Sequence, residues 1–498
     1  MKPLSQASGV QTSRAVVAGL FFFSIVVRIL TAEYVENGGD CITLWLNIRR
    51  FWEGLGFNAW NHHTMRWAIT MPLIAVTKVF GTSAWVYYLL PTLYSSVAAV
   101  LVCLIGERLH SVRLGVISSI LFILYPQMAQ TGSQIWPAVF ELTYILGSVL
   151  CIFIWLDKKH LGWLVAAALC FVLAWGSRVT CIYFFPGLLA LIWLPTRSFK
   201  AVFVFCAAVG AFLCIEHLCI YAVTGEPLGR IGVIKGTHGA QAELQTSLSD
   251  YLLNFLNYKK LRGLLIVTVV TVLVALSMLR SREQRRKALA VLYLVHLVML
   301  TWMVSSVSPL KLALPVGSRY VCASIPFGLL LTTLWLYDLH KGKPRLATTL
   351  LCLFIAAFTY FSVAKIPGNN SILQTRRDAI VLGDALASND PIYIRYIPWQ
   401  PNFVEKAVIE YFGGKARKKS VDASDVRRFM DKNRNRIVSL YMRDTAEAAA
   451  NYSRRPVRIG RYLYTFSELA EGDERFENAV TVEFGRKSFE AKPGAPEL

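Results

Sequence analysis

The chain has 498 residues, 55% hydrophobic and 17% charged, with a mean hydropathy of +0.46. That balance excludes an ordinary soluble enzyme, in which about 25% of residues carry charge, and it points to a membrane protein. The net charge of +21 would suit nucleic acid, but much of the basic excess falls in short loops between apolar runs. Membrane topology accounts for it there, so nucleic acid is set aside as a partner.

A bilayer core of about 30 Å takes about 20 helical residues, and about eleven apolar runs of that kind recur before residue 365. The first, Ala15 to Ala32, follows Lys2 and Arg14 and lacks a small-x-small cleavage site, so it reads as an uncleaved span. Arg28 near its outer end reads as a side chain that snorkels to headgroups. Trp67 to Phe80 is too short for a span and reads as interfacial or re-entrant. The other runs are Ala84 to Gly106, Leu114 to Gln130, Ala138 to Leu156, Leu161 to Trp175, Ile182 to Leu194, Ala201 to Val223, Leu264 to Leu279, Ala288 to Val307, Tyr320 to Tyr337 and Leu346 to Ala364.

With the N-terminus in the cytoplasm, the cytoplasmic loops are short and basic, as in Arg280 to Lys287, which satisfies the positive-inside rule. The opposite face receives both long loops, 33–66 and 224–262, and the tail 365–498. The tail mixes strand-like pieces, Ile392 to Ile397 and Ile437 to Met442, with helical ones, Phe403 to Phe412 and Ala423 to Lys432. The expected architecture is mostly α: a polytopic membrane helix bundle over 1–364, followed by an extracytoplasmic α/β domain over 365–498.

All ten cysteines precede Phe354, most of them inside apolar runs, where Cys acts as a small hydrophobe. His62 and His63 are adjacent with no carboxylate at ligand spacing, so no metal site is expected. The loop 224–262 is rich in glycine around Arg230 and Lys235 and lacks a P-loop signature; it reads as an ordinary surface loop or as a flap over donor or acceptor. Lys259, Lys260 and Arg262 precede a span at the outer face and would attract lipid phosphate.

The first outer loop is the most informative segment. After Gly38-Gly39-Asp40, the residues Leu44, Trp45, Ile48, Phe51, Trp52 and Leu55 recur at helical spacing, with Arg49, Arg50 and Glu53 on the other side. This is an amphipathic helix at the outer leaflet, and it would hold Asp40 at headgroup depth.

The order of motifs resembles a family, the GT-C class of polyprenyl-phosphate-sugar-dependent glycosyltransferases, in particular protein O-mannosyltransferases and lipid A aminoarabinose transferases. Gly39-Asp40, then Gly54-Leu55-Gly56-Phe57, then Arg66 to Pro72 follow that order. Tyr125-Pro126, Pro137 to Glu141, Gly176-Ser177-Arg178 and Ser318-Arg319-Tyr320 with Pro326 resemble later family features, over roughly the first 340 residues. Where the family often has an acidic pair, Cys41 follows Asp40. The resemblance therefore implies Asp40 as base, alone or with Glu141, and a site of bacterial inner-membrane type that faces the periplasm.

The residue inventory suits that chemistry. A sugar on a polyprenyl phosphate already has a good leaving group, so the acceptor hydroxyl needs a base and the departing phosphate needs cations. Glycoside hydrolysis would ask for two carboxylates across the bond. Asp40 is the expected base for an inverting displacement; Arg66, Arg178 and Arg319, with Tyr320 and Lys260, are the expected phosphate-binding set. Glu216-His217 reads as a packed polar pair.

The donor would be a polyprenyl-phosphate-linked hexose or pentose, with no obligatory cofactor. The acceptor would be a glycan, lipid or protein. A flippase for lipid-linked sugars would need an internal repeat and ionisable groups near the midplane. A glycan polymerase or ligase would place its chemistry in a large late loop rather than in the first one.

Overall fold

The computed structural model describes residues 12–32, 39–52, 62–82, 84–238, 247–256, 263–307, 310–312 and 318–369, and five strands between 392 and 482. The helices in chain order are α1 (Arg14–Leu30), α2 (Gly39–Trp52), α3 (Trp67–Phe80), α4 (Ala84–Leu109), α5 (Val112–Leu124), α6 (Pro126–Thr131), α7 (Pro137–Lys158), α8 (Gly162–Ser177), α9 (Phe185–Thr196), α10 (Phe199–Thr224), α11 (Gly229–His238), α12 (Leu248–Leu252), α13 (Gly263–Met278), α14 (Gln284–Trp302), α15 (Ser318–Val321), α16 (Ile325–Gly342) and α17 (Pro344–Asn369). Every apolar run named above holds a helix. Five of the described helical stretches are long and apolar enough to cross a bilayer, and four shorter apolar helices accompany them.

The chain divides into two compact units. One comprises Met1–Ala32, Asn58–Ala75 and Tyr88–Ile366. Its core is built where α7 packs on α8, α9 on α14, and α5 and α13 on α16, around side chains such as Phe122, Phe153, Phe171, Phe184 and Phe327. The apolar window of α7 is 78% buried and that of α10 only 11%, so α7 is central and α10 presents its apolar surface outward. α4 and α5 touch backbone to backbone: a Cβ on Gly106 would lie 2.5 Å from the Gly115 Cα, so only glycine fits.

Prolines cut the apolar runs where hydropathy alone does not. Leu114 to Gln130 is not one helix: Pro126 holds Tyr125 extended (φ −61°, ψ 123°) and separates α5 from α6. The carbonyls freed at the end of α5 find side-chain donors from other helices. Arg28 Nη1 donates to Ile123 O at 3.0 Å, and Ser362 Oγ to Leu124 O at 2.8 Å. Arg28 is therefore fully buried and does not snorkel; the break in α5 draws its guanidinium inward. The run Ala288 to Val307 likewise ends early, at Trp302. Its last residues form β1 (Val304–Val307), antiparallel to β2 (Leu310–Leu312).

The second unit comprises Glu33–Phe57, Val76–Tyr87 and Pro367–Leu498. In it, α2 buries Cys41, Leu44, Trp45 and Ile48, the i, i+3, i+4, i+7 stripe of an amphipathic helix, and leaves Phe51 and Trp52 exposed. Trp45 meets Tyr87 edge-on at 5.6 Å, and Trp52 Nε1 donates to Thr77 Oγ1 at 2.8 Å. Strands β3 (Ile392–Tyr396), β4 (Ile437–Tyr441) and β7 (Val480–Val482) form a parallel sheet in the order β4-β3-β7, while β5 (Tyr452–Ile459) and β6 (Tyr462–Ser467) pair antiparallel. The expected helices 403–412 and 423–432 lie outside the described residues.

Candidate active site

The segment Arg66-Trp67-Ala68 is held from three sides. Pro72 lies inside α3 and has no N–H for the carbonyl four residues back, which is Ala68 O. Tyr144 of α7 supplies the missing donor at 3.1 Å, and its hydroxyl pairs with that of Tyr94 at 2.7 Å. Trp67 Nε1 donates to Glu216 Oε1 of α10 at 2.6 Å. Gly176 of α8 lies so close to the Trp67 ring that an added Cβ would stand 2.5 Å from Cε2. The Arg66 carbonyl accepts the Ile69 N–H at 2.8 Å and the Thr70 N–H at 3.0 Å, starting α3.

Next to this segment lies a buried ion pair. α7 begins at Pro137, which is suited to a first helical position, and carries Glu141 inward. α8 ends at Ser177, and Arg178 leaves it in an extended conformation (φ −160°, ψ 127°) before a 3₁₀ turn, Val179–Phe184. Arg178 Nη1 stands 3.6 Å from Glu141 Oε2, and Thr180 Oγ1 donates to Glu141 Oε1 at 3.3 Å. The Arg178 guanidinium also lies over the Tyr320 ring, 4.0 Å from its centroid, a contact typically worth about 0.5–2 kcal/mol. His296 of α14 stacks on Phe184 with centroids 3.7 Å apart, within electrostatic reach of Arg178.

A second buried pair also lies within electrostatic reach of Arg66. Arg230 of α11 stands 3.6 Å from Glu216 Oε1 and donates from Nη1 to the Trp175 carbonyl. Burial pushes its guanidinium down to about 10, with the Glu216 charge opposing, which leaves it charged at neutral pH. Arg66 lies within electrostatic reach of both Glu141 and Arg230. Arg66, Arg178 and Arg230 thus gather around Glu141 and Glu216.

Of the residues expected from the sequence, Glu141, Arg178, Tyr320 and Arg66 come together in one unit. Arg319 lies on α15, and Lys260 lies outside the described residues. Asp40 belongs to the other unit, as the second residue of α2. There the free N–H groups of a helix start favour a carboxylate. Sequence reasoning missed Arg230 and Glu216. The signal was present: a carboxylate in an apolar run is costly unless it has a partner. That partner sits in the glycine-rich loop that reads as surface or flap, a loop whose described part includes helix α11, with Arg230 buried.

A family model described as dolichyl-phosphate-mannose-protein mannosyltransferase matches residues 66–221, which enclose Glu141, Arg178 and Glu216. ArnT from Cupriavidus metallidurans bound to undecaprenyl phosphate superposes with a TM-score of 0.52 at 11% identity, over 88% of this chain and 94% of that one. The chain shares the fold of ArnT. ArnT in the apo state gives 0.50 at 11% identity, over 86% and 88% of the two chains. The Archaeoglobus fulgidus oligosaccharyltransferase in complex with zinc and sulfate gives 0.45 at 13% identity, over 78% of this chain and 60% of that one, so the chain spans about three-fifths of that protein. No curated protein matches in sequence. With that fold and five described helices long and apolar enough to cross a bilayer, the chain is an integral membrane protein.

Proposed function

We propose that the protein is a glycosyltransferase that moves a hexosyl or pentosyl residue from a polyprenyl-phosphate donor to an acceptor hydroxyl, with inversion. The observation that carries this reading is Arg178: a guanidinium laid over Tyr320, 3.6 Å from a buried carboxylate that Arg66 also reaches electrostatically, at one end of the helix bundle. A buried guanidinium suits an incoming phosphate, which accepts its planar fork bidentately. ArnT, with the same fold, binds undecaprenyl phosphate.

In the proposed reaction the acceptor hydroxyl gives its proton to Asp40 as its oxygen forms a bond to the anomeric carbon. The bond from that carbon to the phosphate oxygen breaks on the opposite face, and polyprenyl phosphate leaves with the electron pair, its charge met by Arg178 and Arg66. Glu141 keeps Arg178 oriented. Arg319, Tyr320 and Lys260 complete the phosphate-binding set. The acceptor is a glycan, lipid or protein, and the chemistry takes place on the periplasmic side of a bacterial inner membrane. In the same proposal residues 365–498 form an extracytoplasmic α/β domain and the N-terminus is cytoplasmic.

The test is transfer by the purified protein in lipid nanodiscs, with undecaprenyl-phosphate hexoses and pentoses as donors and Arg178→Met as control. Release of undecaprenyl phosphate with sugar on an acceptor, lost in the variant, is expected. Movement of intact donor across the bilayer without transfer would remove the reading.

A further inference from the structure

The two buried ion pairs differ. At the first, both oxygens of Glu141 are engaged, Oε1 by Thr180 and Oε2 by Arg178. At the second, Trp67 and Arg230 both approach Oε1 of Glu216, and Oε2 has no partner among the described residues. The Glu216 side chain is only 7% exposed. Beside it, the Nε–H of Arg230 is buried and unpaired, although Nη1 is spent on the Trp175 carbonyl. Two indole rings, Trp67 and Trp175, are half-buried around the pair.

An open carboxylate oxygen repels phosphate and accepts from hydroxyls, a free N–H donates to ring or hydroxyl oxygens, and indole faces stack on C–H surfaces. That is the chemistry of a sugar ring. The two pairs are also neighbours, since Arg66 and Cys181 each lie within electrostatic reach of both. A phosphate at Arg178 and a sugar at Glu216 can therefore belong to one molecule. We propose that Glu216, Arg230, Trp67 and Trp175 form the subsite that recognises the sugar ring of the donor. This rests on the glycosyltransferase reading and adds which residues read the sugar rather than its phosphate.

The test compares binding, without turnover, of undecaprenyl phosphate and of a panel of undecaprenyl-phospho-hexoses and -pentoses to the full chain in nanodiscs. Wild type should bind the best-fitting glycosylated lipid about tenfold tighter than the bare one, the worth of a hydrogen bond to a charged group. Glu216→Gln should erase that preference and leave the bare-lipid Kd unchanged. Trp175→Phe keeps the carbonyl that Arg230 uses and packs conservatively; it should reduce the preference about threefold. The subsite is refuted if wild type binds no glycosylated lipid better than the bare one, or if the variants weaken both alike. Preference without transfer would sink the proposed reaction and spare the subsite; transfer without preference would do the reverse.

Discussion

Where α4, α7, α14 and α16 meet, Arg108 and Arg285 each close on Asp157 at 2.6 Å, and Arg286 closes on Asp338 at 2.6 Å; Arg108, Arg285 and Asp157 are each about a third exposed. At the opposite end of the same bundle, Arg178–Glu141 and Arg230–Glu216 stand at 3.6 Å, at most a tenth exposed. The exposed pairs to Asp157 fasten helix ends and are individually worth little, about 0–1 kcal/mol, whereas Arg286 is itself buried. Buried pairs cost desolvation and gain little beyond it. That an end of the molecule keeps two of them is what the proposed ligand site accounts for.

The strongest break of this contrast comes from the base. Asp40→Asn should lower transfer by about 10³-fold, within the range of general-base catalysis, while undecaprenyl phosphate binds as before. Unchanged turnover would take the proton-accepting role away from Asp40. Arg178→Met should lower transfer by about 10²-fold and weaken the same lipid. Arg178→Lys should recover only part, because an ammonium lacks the planar fork. Full recovery by lysine would mean that charge alone matters.

A smaller effect is expected one layer back. Tyr144→Phe leaves the Ala68 carbonyl, freed by Pro72, without its donor, a loss of about 1–3 kcal/mol read by chemical denaturation. Equal stability would show that Ala68 finds another donor. The smallest effect belongs to the closed end: Arg285→Ala should leave transfer within about twofold of wild type, as an exposed pair implies. A large loss there would erase the distinction between the two ends.

The helices were legible because apolar runs of span length leave few alternatives, and the stripe of α2 was legible from its i, i+3, i+4 spacing. Glu141, Arg178 and Tyr320 were singled out by the family resemblance, and Arg178 lies 3.6 Å from Glu141 and over the Tyr320 ring. Arg28 was misread because the carbonyl that it satisfies exists only once Pro126 has broken α5. Glu216 and Arg230 were not joined because the chain turns back between them at Gly225, which takes a left-handed φ of 68°. Local patterns name candidates, and tertiary pairing decides which of them meet.

A structure of the full chain in nanodiscs with undecaprenyl phosphate tests the central claim most directly. The account expects the phosphate within hydrogen-bond distance, about 3 Å, of the Arg178 guanidinium and beside Arg66, with the Arg108–Asp157–Arg285 cluster unoccupied. A phosphate seated elsewhere, with the Arg178–Glu141 pair unchanged, would contradict it.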